Sequence, residues 1–123
     1  MSVSRTAALN DVGVAIRTGA TLLRSIRARQ LAPAAPKLYL QLFNVAGASV
    51  VLGTTVADEV LLLPAGDSKR DEVGLFADFH SRKGGQLFDT ALSVFCTTTA
   101  NGLTAPTAGQ EPDVTIDYEK IGA

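Results

Sequence analysis

Apolar and polar residues alternate with a period of two in several short runs, and this constrains the fold more than any other feature of the chain. In "KLYLQLFN", Leu38, Leu40 and Leu42 fall on one side, and Tyr39, Gln41 and Phe43 on the other. In "DVTIDYE", Val114, Ile116 and Tyr118 point inward and Thr115, Asp117 and Glu119 outward. Successive side chains of an extended strand project to opposite faces, so each run reads as a strand with one buried side. "VGLFADF" repeats the pattern through Val73, Leu75, Ala77 and Phe79. "QLFDTALSVFCTTT" reads as one strand, or as two joined by a bend near Asp89. Leu92, Val94 and Cys96 share one of its faces, and Ser93 and Phe95 the other.

Turn residues separate these runs. "APAAP" is a connection, because Pro33 and Pro36 lack N–H donors and restrict the residues before them. Pro64 stops the short strand "EVLLL", while "DSKRDE" and "HSRKGG" are charged turns. "VAGASVVLGTT" suits a bend over a sheet surface. "ANGLTAPTAGQEP", thirteen residues long, is a connection kept out of the sheet by Gly102, Pro106, Gly109 and Pro112. That is long for a compact sandwich and makes it a candidate for contact with a neighbouring subunit. "GVAIRTGATLLRSIRARQL" is ambiguous. Leu22, Leu23 and Ile26 would share a helical face, but Gly13 and Gly19 interrupt it, and "RTGA" reads as a tight turn of a hairpin.

About seven or eight short strands result, and no strong helical period. The expected fold is all-β, an antiparallel β-sandwich or jelly roll. Residues 1 to 12 have little periodicity and read as a mobile arm that orders against a partner. Residues 13 to 120 form the single domain, and 121 to 123 a short tail.

A chain of 123 residues with 46% hydrophobic content suits one core, folding without a disulfide or metal. Its one cysteine, Cys96, excludes an intrachain disulfide and fits a reducing compartment. With no signal-peptide pattern and no run near the roughly 18 apolar residues of a membrane helix, the expectation is a soluble chain without membrane contact. Charge is unevenly spread. Residues 1 to 37 hold six Lys/Arg against Asp11, a net +5, and the remainder holds five against eleven Asp/Glu, a net −6. Pairing of neighbouring strands would neutralise this within the monomer; head-to-tail association of subunits is the alternative. The basic residues lack aromatic interleaving or any zinc, RNP or zipper pattern, so no nucleic-acid partner is expected.

The residues give little support to catalysis. His80, the only histidine, lies beside Asp78 and Ser81, but triads are assembled from distant elements, and Lys83, Gly84 and Gly85 make a solvated turn of it. Cys96 follows Val94 and Phe95 in a strand and reads as buried and unreactive. Asp113, Asp117 and Glu119 read as an outward polar stripe rather than a calcium site. Nothing selects a carboxylate pair for glycoside hydrolysis. "KGGQLF" lacks the spacing of a phosphate-binding loop. No cofactor, metal or catalytic residue is expected.

The order of the signals carries a resemblance. "RTGATLL" is followed by "KLYLQLFN", "LGTT", a strand ending "LPAG", "LFADF", "LSVFCTTTANGLTAP" and "DVTIDY". This order, over about residues 13 to 119, resembles the small all-β virion proteins of tailed bacteriophages. The stretch "DSKRDEVGLFADFHSRKGG" is more charged than that pattern, and residues 1 to 12 have no counterpart in it.

The resemblance implies a structural protein rather than an enzyme, most like a capsid decoration (cement) protein. Such a protein sits as a homotrimer over junctions of the major capsid protein, on the outside of a virion assembled in the host cytoplasm. On that reading, Val3, Arg5 and Leu9 of the arm and Leu52, Thr54 and Thr55 of the loop are the capsid-contact candidates. An outer sheet face with Tyr39 and Phe43, together with Leu103 and Pro106 of the long connection, supplies the subunit contact. Tail, baseplate and fibre-anchoring modules are the nearest alternative. A carbohydrate-binding module using Tyr39, Phe43, Phe76 or Tyr118 as a platform is another.

Overall fold

The computed structural model describes residues 2–6, 9–30, 36–64, 73–78, 85–100, 102, 104–106 and 111–121, with the backbone alone for 2 and 73–78. These residues form nine strands: β1 (Ser2–Thr6), β2 (Val14–Thr18), β3 (Thr21–Gln30), β4 (Leu38–Phe43), β5 (Glu59–Leu63), β6 (Val73–Asp78), β7 (Gln86–Phe88), β8 (Ala91–Thr97) and β9 (Asp113–Lys120). A single 3-10 turn lies at Gly47–Ser49, and no α-helix occurs among the described residues.

The strands pair entirely antiparallel in two sheets. The first runs β1-β9-β3-β6, with β7 beside β6 along the same edge of β3; the second runs β2-β8-β4-β5. If β6 and β7 are taken as two halves of one broken strand, the pairs β1:β9, β2:β8, β3:β6/β7 and β4:β5 are nested. The fold is therefore one long hairpin rolled into a sandwich, which is the jelly-roll arrangement.

The core lies between the inner faces. Leu23, Ile26 and Ala28 of β3, Phe88 of β7, and Val114, Ile116 and Tyr118 of β9 meet Leu38, Leu40 and Leu42 of β4, Leu63 of β5, and Leu92, Val94 and Cys96 of β8. The alternating faces expected for β4, β8 and β9 are those observed. The bend near Asp89 divides "QLFDTALSVFCTTT" into two strands that belong to different sheets. A bulge between Leu23 and Ser25 explains the ambiguity of residues 13 to 31. The extra residue sets inward Ile26 three positions after inward Leu23, so an extended strand imitates a helical spacing there.

Three expectations need correction. "RTGA" does turn the chain between two strands, but β2 and β3 are not a hairpin: β2 pairs with β8 and β3 with β9, so the turn carries the chain from one sheet to the other. Gly19, at φ +111°, makes that corner, and its N–H bonds Thr90 O at 2.7 Å. The segment read as a mobile arm ordering against a partner is, in its described residues, held by the chain itself. Ser2–Thr6 pair with Val114–Tyr118 as an edge strand, and Leu9 is buried in the core with its N–H on Pro112 O at 3.1 Å. One buried leucine side chain contributes about 1.5–3 kcal/mol. It adds to the pairing of β1 on β9 in holding down a segment whose own sequence shows no period.

The third correction concerns Phe43. Its ring points away from the main core, as the alternation requires, yet it is fully covered. It packs edge-to-face on Phe95, with ring centroids 5.4 Å apart and planes at 88°. Connections close over this outer face of the second sheet. Ser93 Oγ donates to Val45 O at 2.8 Å, Gln41 Nε2 donates to Gly102 O at 3.2 Å, and Gly13 rests on the Phe95 ring. All seven residues of β8 are consequently buried. Asn44 holds the adjoining corner: its Oδ1 accepts from the N–H of Thr90 at 2.8 Å and of Ala91 at 3.2 Å.

Candidate functional site: an apolar rim and a charged hollow

The proposed contact residues separate onto the two sides of the sandwich. Val3 and Arg5 lie on the outer face of the first sheet, level with Asp117 and Thr115 of β9. Leu52, Thr54 and Thr55 lie in the connection between β4 and β5, beside the outer face of the second sheet. Leu9, within the core, belongs to neither surface. Of the subunit-contact candidates, Tyr39 is half-buried on the outer face of the second sheet, level with Leu62; Phe43 and Pro106 are buried. Leu103 and His80 lie outside the described residues, as does the side chain of Phe76. Of the described rings named for a sugar platform, Phe43 and Tyr118 are covered and Tyr39 is half-buried.

Residues 51 to 55 form a self-closed turn. The N–H groups of Thr54 and Thr55 both donate to Val51 O, at 3.0 and 2.8 Å, and the Val51 N–H returns to Thr55 Oγ1 at 2.9 Å. Gly53 supplies the positive φ of +82° that the turn needs. Thr55 therefore shapes the loop. The loop presents apolar side chains: Val51 is 59% exposed and Val56 85%. The ridge continues on β5, the edge strand of its sheet, where outward Val60 and Leu62 are 39% and 48% exposed. Between loop and strand lies a cleft of about 250 Å³, lined by Gln41, Gly53, Thr54, Thr55, Val56, Ala57, Val60 and Ala100. Gln41 forms its floor, tied by Nε2 to Thr97 Oγ1 at 2.7 Å.

The other side is charged. Acidic β9 lies between basic β1 and β3, so topology brings the oppositely charged parts of the chain together. Arg5 grips Asp113 with Nε at 3.2 Å and Nη2 at 2.9 Å, while Arg29 Nη2 reaches the same carboxylate at 3.0 Å. Arg24 pairs with Glu119 further along. The hydrogen bond from Arg5 is the main cause that holds Asp113 below the usual carboxylate range, aided by Arg29 and opposed by burial. Glu119 is depressed in the same way by the hydrogen bond from Arg24, and Asp89 by those from Asn44 and Thr90. Arg5, Arg27, Arg29, Asp113 and Thr115 line a hollow of about 230 Å³ on this face. The charge imbalance of the sequence hinted at it, but no spacing revealed that β9 would sit between the two basic strands.

Cys96 is buried in the core, and burial pushes its thiol up to about 12, with a smaller contribution from the charge of Glu111. Among the described residues, no three His, Cys, Asp or Glu side chains come together as a metal site. Comparison with protein families, with curated proteins and with solved structures finds no match to this chain.

Proposed function

We propose that the chain is a virion structural protein, a capsid decoration protein that binds the outer surface of a major capsid shell as a homotrimer. The observation that carries this reading is the exposed apolar ridge of Val51, Val56, Val60 and Leu62 along one sheet edge and its cleft. Nearly every other large apolar side chain of the second sheet is covered, so the exposure is local. Clustered exposed apolar residues mark contact surfaces. A jelly roll in which the central strand β8 is covered on both faces is a stiff carrier for such a rim. The action is mechanical: three copies of one modest contact, fixed in a trimer, add through effective concentration into tight attachment. Bridged capsid subunits then separate only if the bridge also breaks.

Light scattering of the purified protein and cosedimentation with undecorated particles test this reading. The expected result is a trimer that saturates the particles at fixed stoichiometry, with binding lost in Val60→Asp/Leu62→Asp. A strict monomer that never sediments with particles overturns it. Sedimentation with tails in place of heads transfers the same surface to a tail or baseplate role.

A further inference from the structure

We infer that the cleft between the turn of residues 51 to 55 and β5 is an anchor pocket for one side chain of a protein partner, a tyrosine or tryptophan whose ring enters with its O–H or N–H foremost. This assignment rests on the contact role proposed for the apolar ridge and names what the ridge selects. At about 250 Å³ the cleft is smaller than sites that enclose a whole small-molecule ligand, which run from roughly 300 to 1,000 Å³. It suits one large side chain, and Val56, Ala57, Val60 and Ala100 give it apolar walls.

Gln41 gives the floor its chemistry. Only 2% exposed, it has an amide whose orientation its neighbours fix. Nε2 lies 2.7 Å from Thr97 Oγ1 and 3.2 Å from Gly102 O. Thr97 Oγ1 donates its own proton to Thr99 O at 2.7 Å, and a carbonyl has none, so both partners can only accept. The amide nitrogen must therefore face them with both of its protons engaged, and Oε1 is left without a donor from the described residues. A locked acceptor in the floor of an apolar cleft admits a narrow class of occupant. A leucine or phenylalanine side chain would strip water from Oε1 without replacing the lost hydrogen bond, and a carboxylate would set acceptor against acceptor. A lysine would bring a donor, but the apolar walls would desolvate its charge. Tyrosine and tryptophan join a large apolar ring to one donor, the combination that makes them frequent interface anchors.

The test is a titration of the full chain with side-chain analogues, followed by NMR through the backbone amides of Ala57 and Val60 and the side-chain amide of Gln41. p-Cresol and 3-methylindole should give saturable shifts at these positions, and the tighter binder of the two identifies the preferred ring. 4-Methylanisole, in which a methyl group caps the donor of p-cresol, and toluene, which lacks the donor, should each bind at least about tenfold more weakly. Ala57→Leu, which fills the cleft and leaves Gln41 in place, should remove the p-cresol response. Gln41→Met should remove the preference for p-cresol over toluene. Equal binding of p-cresol and toluene overturns the assignment, as does a p-cresol response that survives Ala57→Leu. Particle binding is read separately: a protein that decorates particles but fails this titration keeps the function proposed above and loses only the anchor, and one that passes it without binding particles keeps the anchor alone.

Discussion

Gly13 lies directly against the ring of Phe95: a Cβ at residue 13 would stand 2.4 Å from Phe95 Cδ2, and the backbone there has φ +73°. Two independent penalties oppose any side chain at this position, the positive φ and the overlap with a ring already held by Phe43. Gly13→Ala is expected to destabilise by about 2–4 kcal/mol in urea unfolding. Phe95→Leu should relieve part of that cost, so the double variant is more stable than the sum of the singles predicts. Strict additivity would show that the ring is not what Gly13 accommodates.

The docking of the first residues has a similar test. Leu9→Ala should cost about 2–5 kcal/mol, the range for a buried leucine, whereas Val3→Ala on the exposed face should stay within about 0.5 kcal/mol. Equal small effects would show that Leu9 does not anchor the first residues in the core.

Acid should weaken the fold through Asp113. Its carboxyl is depressed in the folded chain, so its contribution is fully present above the unfolded value of about 3.9 and is lost as pH falls below that through the folded value. Asp113→Asn is expected to be less stable than the parent at pH 7. The difference should hold constant down to about pH 5 and then shrink as the solution is acidified. A difference independent of pH from 7 to 2 would remove the Arg5–Asp113–Arg29 cluster as its source.

Cys96 should be inert while the chain is folded. With the thiol raised to about 12 and buried, almost no thiolate exists at pH 8, and a disulfide reagent must wait for unfolding. Labelling is expected to follow the unfolding rate and to become immediate in concentrated urea. Rapid labelling of folded protein would place the sulfur at the surface.

Much of the sandwich is legible in short-range alternation, because β4, β8 and β9 each bury one inner stripe that the sequence spells at every second residue. What escapes notice is what partners decide. Phe43 alternates outward, and only the connections crossing the second sheet convert that outward position into a buried one. Leu9 shows no period because it fills the core from a connection. The bulge after Leu23 erases the local period of β3. The hollow is least legible of all, since Arg5, Arg29 and Asp113 meet across sequence separations of 84 and 108 residues.

The position of β9 between β1 and β3 also sets a timetable. Until that strand emerges during synthesis, β1 has no neighbour in its sheet and β3 carries an open edge. Nearly all pairing in this fold waits on distant partners, a topology that folds slowly and exposes strand edges meanwhile. A nascent chain stalled before Asp113 is thus an aggregation hazard. The arginines of β1 and β3, which repel like neighbours until the acidic strand arrives, guard those edges in the interval.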